Sequence, residues 1–260
     1  MDRDLTRVRA WLDATPLSTL ALAIMREATG RTEPIEQIVP VRAARLAPTA
    51  RVAFWSMAAG AGTSTTAALV AQRSAAAGHA PLLVDLDRWV PSLALRASID
   101  AATIRDVLVQ PDHETELVSR WGAVPFMPGS PELHADFDAD RIVTVLAQHA
   151  GSRALVLDLG AGGGAMDDPI TRSLTRFVLV SGATASQLQA AFCARPLLRD
   201  IRPPVGLVVT GVTHEDASII ASRVGLPLLA AIPEDAYLAR DEFAARAPTM
   251  RAIDALVRAL

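Results

Sequence analysis

From Arg51 onward the chain alternates short apolar runs with longer stretches in which apolar residues recur at helical spacing. The runs Val52–Met57, Leu82–Leu86, Ala123–Met127, Leu155–Leu159, Phe177–Ser181, Val205–Thr210 and Leu226–Ile232 predict strands. Most lack a two-residue alternation of apolar and polar positions, as strands covered on both faces should. Between them, Thr65–Ala77, Ala101–Val109, Asp140–Ala150, Ala185–Arg199 and Glu215–Val224 predict helices. A last helix, Thr249–Leu260, places Ile253, Leu256, Val257 and Leu260 on one face. Strands alternating with helices in this way predict an α/β fold with a mostly parallel central sheet flanked by helices.

Residues 1–50 read differently, as a short helical N-terminal extension and linker ahead of a main domain at 51–260. A first pattern sets Leu5, Val8, Trp11 and Leu12 on one face. A second starts at Thr15 as cap with Pro16 in its first turn and repeats Leu17, Leu20, Ala21 and Ile24. A loop rich in Pro, Arg and Ala then runs from Pro34 to Ala50.

Composition narrows the chemistry. The 260 residues are 51% hydrophobic, ample for a buried core, and the net charge of -3 comes without a basic run, which argues against broad nucleic-acid binding. The single Cys193 cannot form an internal disulfide, and the chain opens on Asp2, Arg3 and Asp4 rather than a signal sequence, so a cytoplasmic address is expected. The apolar stretch Leu17–Met25 is too short to span a bilayer. All 25 basic residues are arginine and none is lysine. That excludes a Schiff-base lysine, a lysine general base and an orthodox phosphate-loop lysine.

The strongest candidate chemistry follows the first strand. In Ala58-Ala59-Gly60-Ala61-Gly62-Thr63-Ser64-Thr65-Thr66, small residues precede an alanine-rich helix that Gly78 can terminate. Small residues let backbone N–H groups converge on a phosphate, and the helix presents its positive dipole end. Close packing of a helix on a sheet also calls for small residues. Gly60, Ala61, Gly62, Thr63, Ser64 and Thr65 are the candidate phosphate-binding residues, with Ser64 where phosphate loops keep a magnesium ligand. Asp85, Asp87 and Asp158 fall at the ends of predicted strands, where ligands of parallel sheets sit.

These features together resemble the ParA/MinD group of P-loop ATPases, the deviant Walker A proteins, whose loop reads Lys-Gly-Gly-x-Gly-Lys-Thr-Thr. The resemblance covers residues 51–260, about four-fifths of the chain. Leu82-Leu83-Val84-Asp85-Leu86-Asp87 looks like the family's second strand with its Asp-x-Asp ending, and Leu155-Val156-Leu157-Asp158 like its Walker B strand. Gly225-Leu226-Pro227-Leu228-Leu229-Ala230-Ala231-Ile232-Pro233-Glu234-Asp235 is similar to its late strand and proline turn. The resemblance implies ATP or ADP with magnesium as cofactor, Ser64, Asp85 and Asp158 around the metal, Asp87 near the attacking water, Pro233 beside the adenine, and a homodimer. Ala102-Thr103-Ile104-Arg105-Asp106-Val107-Leu108 followed by Val124-Pro125-Phe126-Met127-Pro128-Gly129 looks most like the CpaE/TadZ branch, which implies protein partners in a pilus-assembly, secretion or positioning system.

Against the family pattern both lysines are missing: Ala58 and Thr63 stand in their places. Loss of one charged hydrogen bond, about 1.5 to 3 kcal/mol, weakens ground-state binding by about 10- to 150-fold. Binding survives such a loss more readily than hydrolysis, which depends on electrostatic stabilisation of the transferred phosphoryl group. The expected protein is therefore a degenerate member, a dimerising localisation or assembly factor with weak or absent hydrolysis. The alternative is a working ATPase that uses arginine, with Arg73 and Arg88 the nearest in sequence, or residues of a partner.

Other constellations are weaker. Val156-Leu157-Asp158-Leu159-Gly160-Ala161-Gly162-Gly163-Gly164 looks like the first motif of an S-adenosylmethionine methyltransferase, but Phe177–Ser181 ends without the acid such a site needs. Asp136, Asp138 and Asp140 mimic the start of a calcium loop, yet Arg141 replaces its turn glycine, so they are expected to lead into and cap a helix. His79, His113, His134, His149 and His214 have no metal-ligand spacing, and Cys193 is expected in the core of its helix. Membrane contact is not favoured; the N-terminal helix around Trp11 is the better candidate for it.

Overall fold

The computed structural model describes residues 43–110, 118–135, 137–162, 166, 168–238 and 245–260. The chain divides into two units, Met1–Pro40 and Val41–Leu260. The first lies outside the described residues, and with it both predicted N-terminal helices; His113 and Asp136 lie outside as well.

The second unit is a three-layer α/β fold. Its elements run β1 (Arg51–Ser56), α1 (Thr63–Ala76), β2 (Leu82–Asp85), α2 (Leu93–Ala97), α3 (Ile104–Val109), β3 (Ser119–Trp121), β4 (Val124–Met127) and α4 (Ala139–Ala150), followed by β5 (Leu155–Ala161), α5 (Asp168–Arg172), β6 (Arg176–Ser181), α6 (Ala185–Ala194), β7 (Val205–Thr210), α7 (His214–Val224), β8 (Leu228–Ile232) and α8 (Ala247–Ala259). The eight strands form one sheet in the order β3-β4-β2-β5-β1-β6-β7-β8. Every pairing is parallel except that of β3 with β4.

Each strand feeds both faces because successive side chains point to opposite sides. In β1, Ala53 and Trp55 join a core made with α3, α4, α5, α6 and α7, whereas Val52 and Phe54 join one made with α1, α2 and α8. This two-sided burial is why the apolar runs show no alternation. Residues 44–50 pack on the second face: Ala44, Leu46 and Ala50 are buried, the Leu46 amide donates to Ser74 Oγ, and the Ala44 amide donates to Asp254 Oδ1. Asp254 also receives Arg73 through Nε at 2.6 Å and Nη2 at 2.7 Å, which ties the end of α1 to α8.

Local side-chain capping accounts for four of the eight helix starts among the described residues. Thr103, Asp138, Thr184 and Thr213 each accept a backbone N–H at the start of α3, α4, α6 and α7, so Asp138 has the expected capping role. The predicted helix Ala185–Arg199 stops at Ala194 instead; Pro196 follows the C-cap Arg195 and cannot donate to the ladder. Cys193 is exposed rather than in the core, because the buried stripe of α6 falls on Ala191 and Ala194. No helix among the described residues is long and apolar enough to cross a membrane.

Candidate functional site

β1 lies between β5 and β6, and its carboxyl end opens into the loop 57–62 that leads to α1. A parallel sheet collects ligands at this edge, where chain order reverses on either side of a central strand. The loop is built on left-handed backbone. Gly60 and Gly62 have φ of 75° and 85°, and Gly62 serves as the left-handed N-cap of α1 with no side-chain cap. A Cβ at Gly62 would also come within 3.4 Å of Thr210 Cγ2. From the end of β7, Thr210 Oγ1 donates to the Ala61 carbonyl at 2.9 Å and so holds the loop from below.

The predicted loop residues thus gather at one place. Ala61 and Thr63 are buried, Gly62, Ser64 and Thr65 are half-buried, and Gly60 is exposed. Pro233 follows β8, whose Ile232 carbonyl accepts the Gly211 amide, so the proline turn and the end of β7 are neighbours. Asp235 closes that turn by accepting from the amides of Tyr237 and Arg246 and from Thr249 Oγ1.

The three carboxylates are also brought together. Asp85 and Asp158 are register partners on adjacent strands, and both are fully buried. Asp85 accepts from the amides of Asp87 and Leu93, each at 3.1 Å, which pins the first residue of α2 to the end of β2. Asp87 Oδ1 accepts from the amides of Trp89 and Val90, turning the chain toward α2. Its other oxygen lies against Gly160, where φ is 66° and an added methyl would collide with the carboxylate. Asp158 Oδ1 accepts from the Gly160 amide at 3.0 Å, while its Oδ2 is buried without a hydrogen bond.

Such crowding raises carboxylate pKa values. Burial first, then the charge of Asp158, pushes Asp85 well above the usual range. Burial likewise raises Asp158 to about 6, opposed by the hydroxyl of Ser64 and the amide of Gly160, with the Asp87 charge raising it and the Arg96 charge lowering it. Among the described residues no group of three or more His, Cys, Asp or Glu is arranged to hold a metal by itself. A magnesium ion beside phosphates keeps waters and needs only one or two protein oxygens. The buried, unbonded Asp158 Oδ2 next to Ser64 fits that kind of ligation.

Two arginines considered as replacements for the missing lysines are engaged elsewhere. Arg73 is held by Asp254 at the far end of α1, and Arg88 stacks its guanidinium 3.3 Å from the Phe137 ring centroid. Sequence reasoning missed Arg96. From α2 its Nη1 donates to Thr65 Oγ1 at 3.0 Å across 31 residues of chain. No local signal marks it, since its placement depends on the long-range tie between Asp85 and Leu93.

The sheet order and the loop at its centre define a phosphate-loop NTPase fold. Comparison with protein-family models gives no match, and comparison with curated proteins gives none. Solved structures do match. The septum site-determining protein MinD of Pyrococcus horikoshii, complexed with Mg-ADP, superposes with a TM-score of 0.67 at 19% identity over 80% of this chain and 94% of its own. A ParA family ATPase from Chlorobium tepidum matches at 0.65 and 16% identity over 82% of this chain and 100% of its own. A plasmid partition protein of Borrelia burgdorferi bound to AMPPNP matches at 0.65 and 14% over 81% and 97%. The fold of this chain is that of the MinD and ParA ATPases.

Proposed function

We propose that this protein is a degenerate MinD/ParA-like nucleotide-binding protein that keeps a magnesium-dependent phosphate site and has lost most or all hydrolysis. The observation that carries the reading is the pairing, at one sheet edge, of an intact carboxylate set with a loop whose lysine positions hold Ala58 and buried Thr63. The uncapped amides of α1 would bind phosphate oxygens, and Ser64 and Asp158, with Asp85 behind, would hold the metal. When bound, magnesium supplies the positive charge that separates phosphate from these carboxylates. Pro233 and the end of β7 would flank the base.

Its MinD and ParA structural neighbours include complexes with Mg-ADP and AMPPNP and one MinC:MinD complex from Aquifex aeolicus, which supports nucleotide as ligand and protein partners as readout. By the same likeness the protein would act as a dimerising localisation or assembly factor, in the pilus or secretion setting implied by its resemblance to the CpaE/TadZ branch. Calorimetric titration with ADP and ATP tests the binding. Heat in the presence of magnesium and none in its absence is expected; silence with both nucleotides plus magnesium would end the reading. A second reading, a cycling ATPase that uses arginine, is favoured by the position of Arg96 and separates from the first by phosphate release.

A further inference from the structure

The loop has lost its own cations, yet a positive charge reaches it from another element. Arg96 donates to Thr65 Oγ1 at 3.0 Å, and Thr65 is the third residue of α1, in the turn whose amides no side chain caps. Arg96 is half-buried, so its charge is only partly screened by water. It is also placed with some precision. The buried carboxylate of Asp85 fixes the amide of Leu93, the first residue of α2, and Arg96 follows one turn later.

A helix start alone would not mark a ligand site. Here a second feature points to one: Asp158, fully buried on β5, has no hydrogen-bond partner for its Oδ2. A carboxylate oxygen left this way suits a cation, and the cation in turn suits an anion at the helix start.

We propose that Arg96 is the phosphate-holding cation of this site, replacing the absent lysines by reaching over the loop from α2 to oxygens of a nucleoside di- or triphosphate bound at the first turn of α1. The inference rests on the nucleotide reading above. It adds which residue binds and which part of the ligand it recognises. A guanidinium presents five donors in a rigid fork, so it can hold the Thr65 hydroxyl and a phosphate oxygen together. Recognition is therefore of the phosphates, not of the base.

The test titrates the full chain with Mg-ADP by calorimetry and with adenosine by NMR, for the wild type, Arg96→Gln, Arg96→Lys and Thr65→Val. Arg96→Gln should weaken Mg-ADP by about 10- to 150-fold, the loss of one charge-assisted hydrogen bond, and leave adenosine unchanged. Arg96→Lys should remain within about tenfold of wild type, since the charge persists. Thr65→Val, which deletes the hydrogen bond but keeps the guanidinium, should cost less than Arg96→Gln. A role in merely stapling α2 to the loop would lower ADP and adenosine affinity alike, and that result overturns the inference. So does an Arg96→Gln protein that binds Mg-ADP as tightly as wild type, and in that case the nucleotide reading stands. A wild type silent to Mg-ADP overturns both. If Arg96→Gln fails to fold, the lysine variant decides by the same ratio of ADP to adenosine effects.

Discussion

The loop after β1 and the carboxylate pocket beside it meet at one sheet edge but are built differently. The loop keeps its backbone: glycines at positive φ, a Thr210 hydroxyl under Ala61, and a helix start left uncapped. It carries no charged side chain, with Ala58 and Thr63 at the two positions where the resembled family pattern has lysine. The pocket holds three carboxylates, Asp85, Asp87 and Asp158, at an electrostatic cost, since Asp85 and Asp158 are buried side by side and both are pushed toward the protonated form. Backbone shape persists because a strand-to-helix turn needs it for packing. The buried carboxylates hold backbone amides as well, Asp85 those of Asp87 and Leu93 and Asp158 that of Gly160, and a divalent cation would relieve the electrostatic cost of burying them together.

The largest effect should fall outside both regions and so marks their limits. Arg73→Ala would leave Asp254, fully buried in α8, without its bidentate partner and should destabilise the fold by about 3 to 5 kcal/mol in chemical denaturation. Nucleotide affinity per folded molecule should not change. A loss of binding at full folding would instead assign Arg73 to the site.

Asp158→Asn probes the pocket. The folded pKa of Asp158, about 6, lies above the ordinary value of 3.8. The folded state therefore binds the proton more tightly; its stabilisation is fully present below pH 3.8 and is lost as pH rises through 6. At pH 8 without metal, Asp158→Asn should be more stable than wild type by a margin on the order of 3 kcal/mol, from a shift of about two units. The gain should shrink to nothing near pH 3.5. Equal stability of the two proteins at pH 8 would show that the pocket bears no such cost.

Thr63→Lys probes the loop from the other side. Restoring the charge should tighten Mg-ADP binding by about 10- to 150-fold in calorimetry. No gain would mean that the backbone at position 63 no longer presents a side chain to the phosphates. Gly62→Ala is the smallest step. It forces a side chain into left-handed backbone and should cost about 1 to 2 kcal/mol, read as a shift of the denaturation midpoint.

How far the sequence foretold this site depends on the range of the interactions involved. The buried strands were legible as unbroken apolar runs, and the loop and carboxylates as motifs at strand ends, because each is written in contiguous residues. β3 was not foreseen: three residues with a polar Arg120 at their centre carry no strand pattern. Nor was α2, five residues whose start is held by a carboxylate eight positions away rather than by a local cap. Arg96 was missed for the same reason. Cys193 was misplaced because the buried stripe of its helix, Ala191 and Ala194, also carries the polar Gln187 while the apolar Phe192 is exposed, so apolarity does not mark the buried face.

The central claim, binding without turnover, is tested most directly by steady-state phosphate release from Mg-ATP, with Asp87→Ala as the control for contaminating ATPase. The wild type and Asp87→Ala should release phosphate at the same background rate. A magnesium-dependent release by the wild type that disappears in Asp87→Ala would contradict it and make this chain a working ATPase.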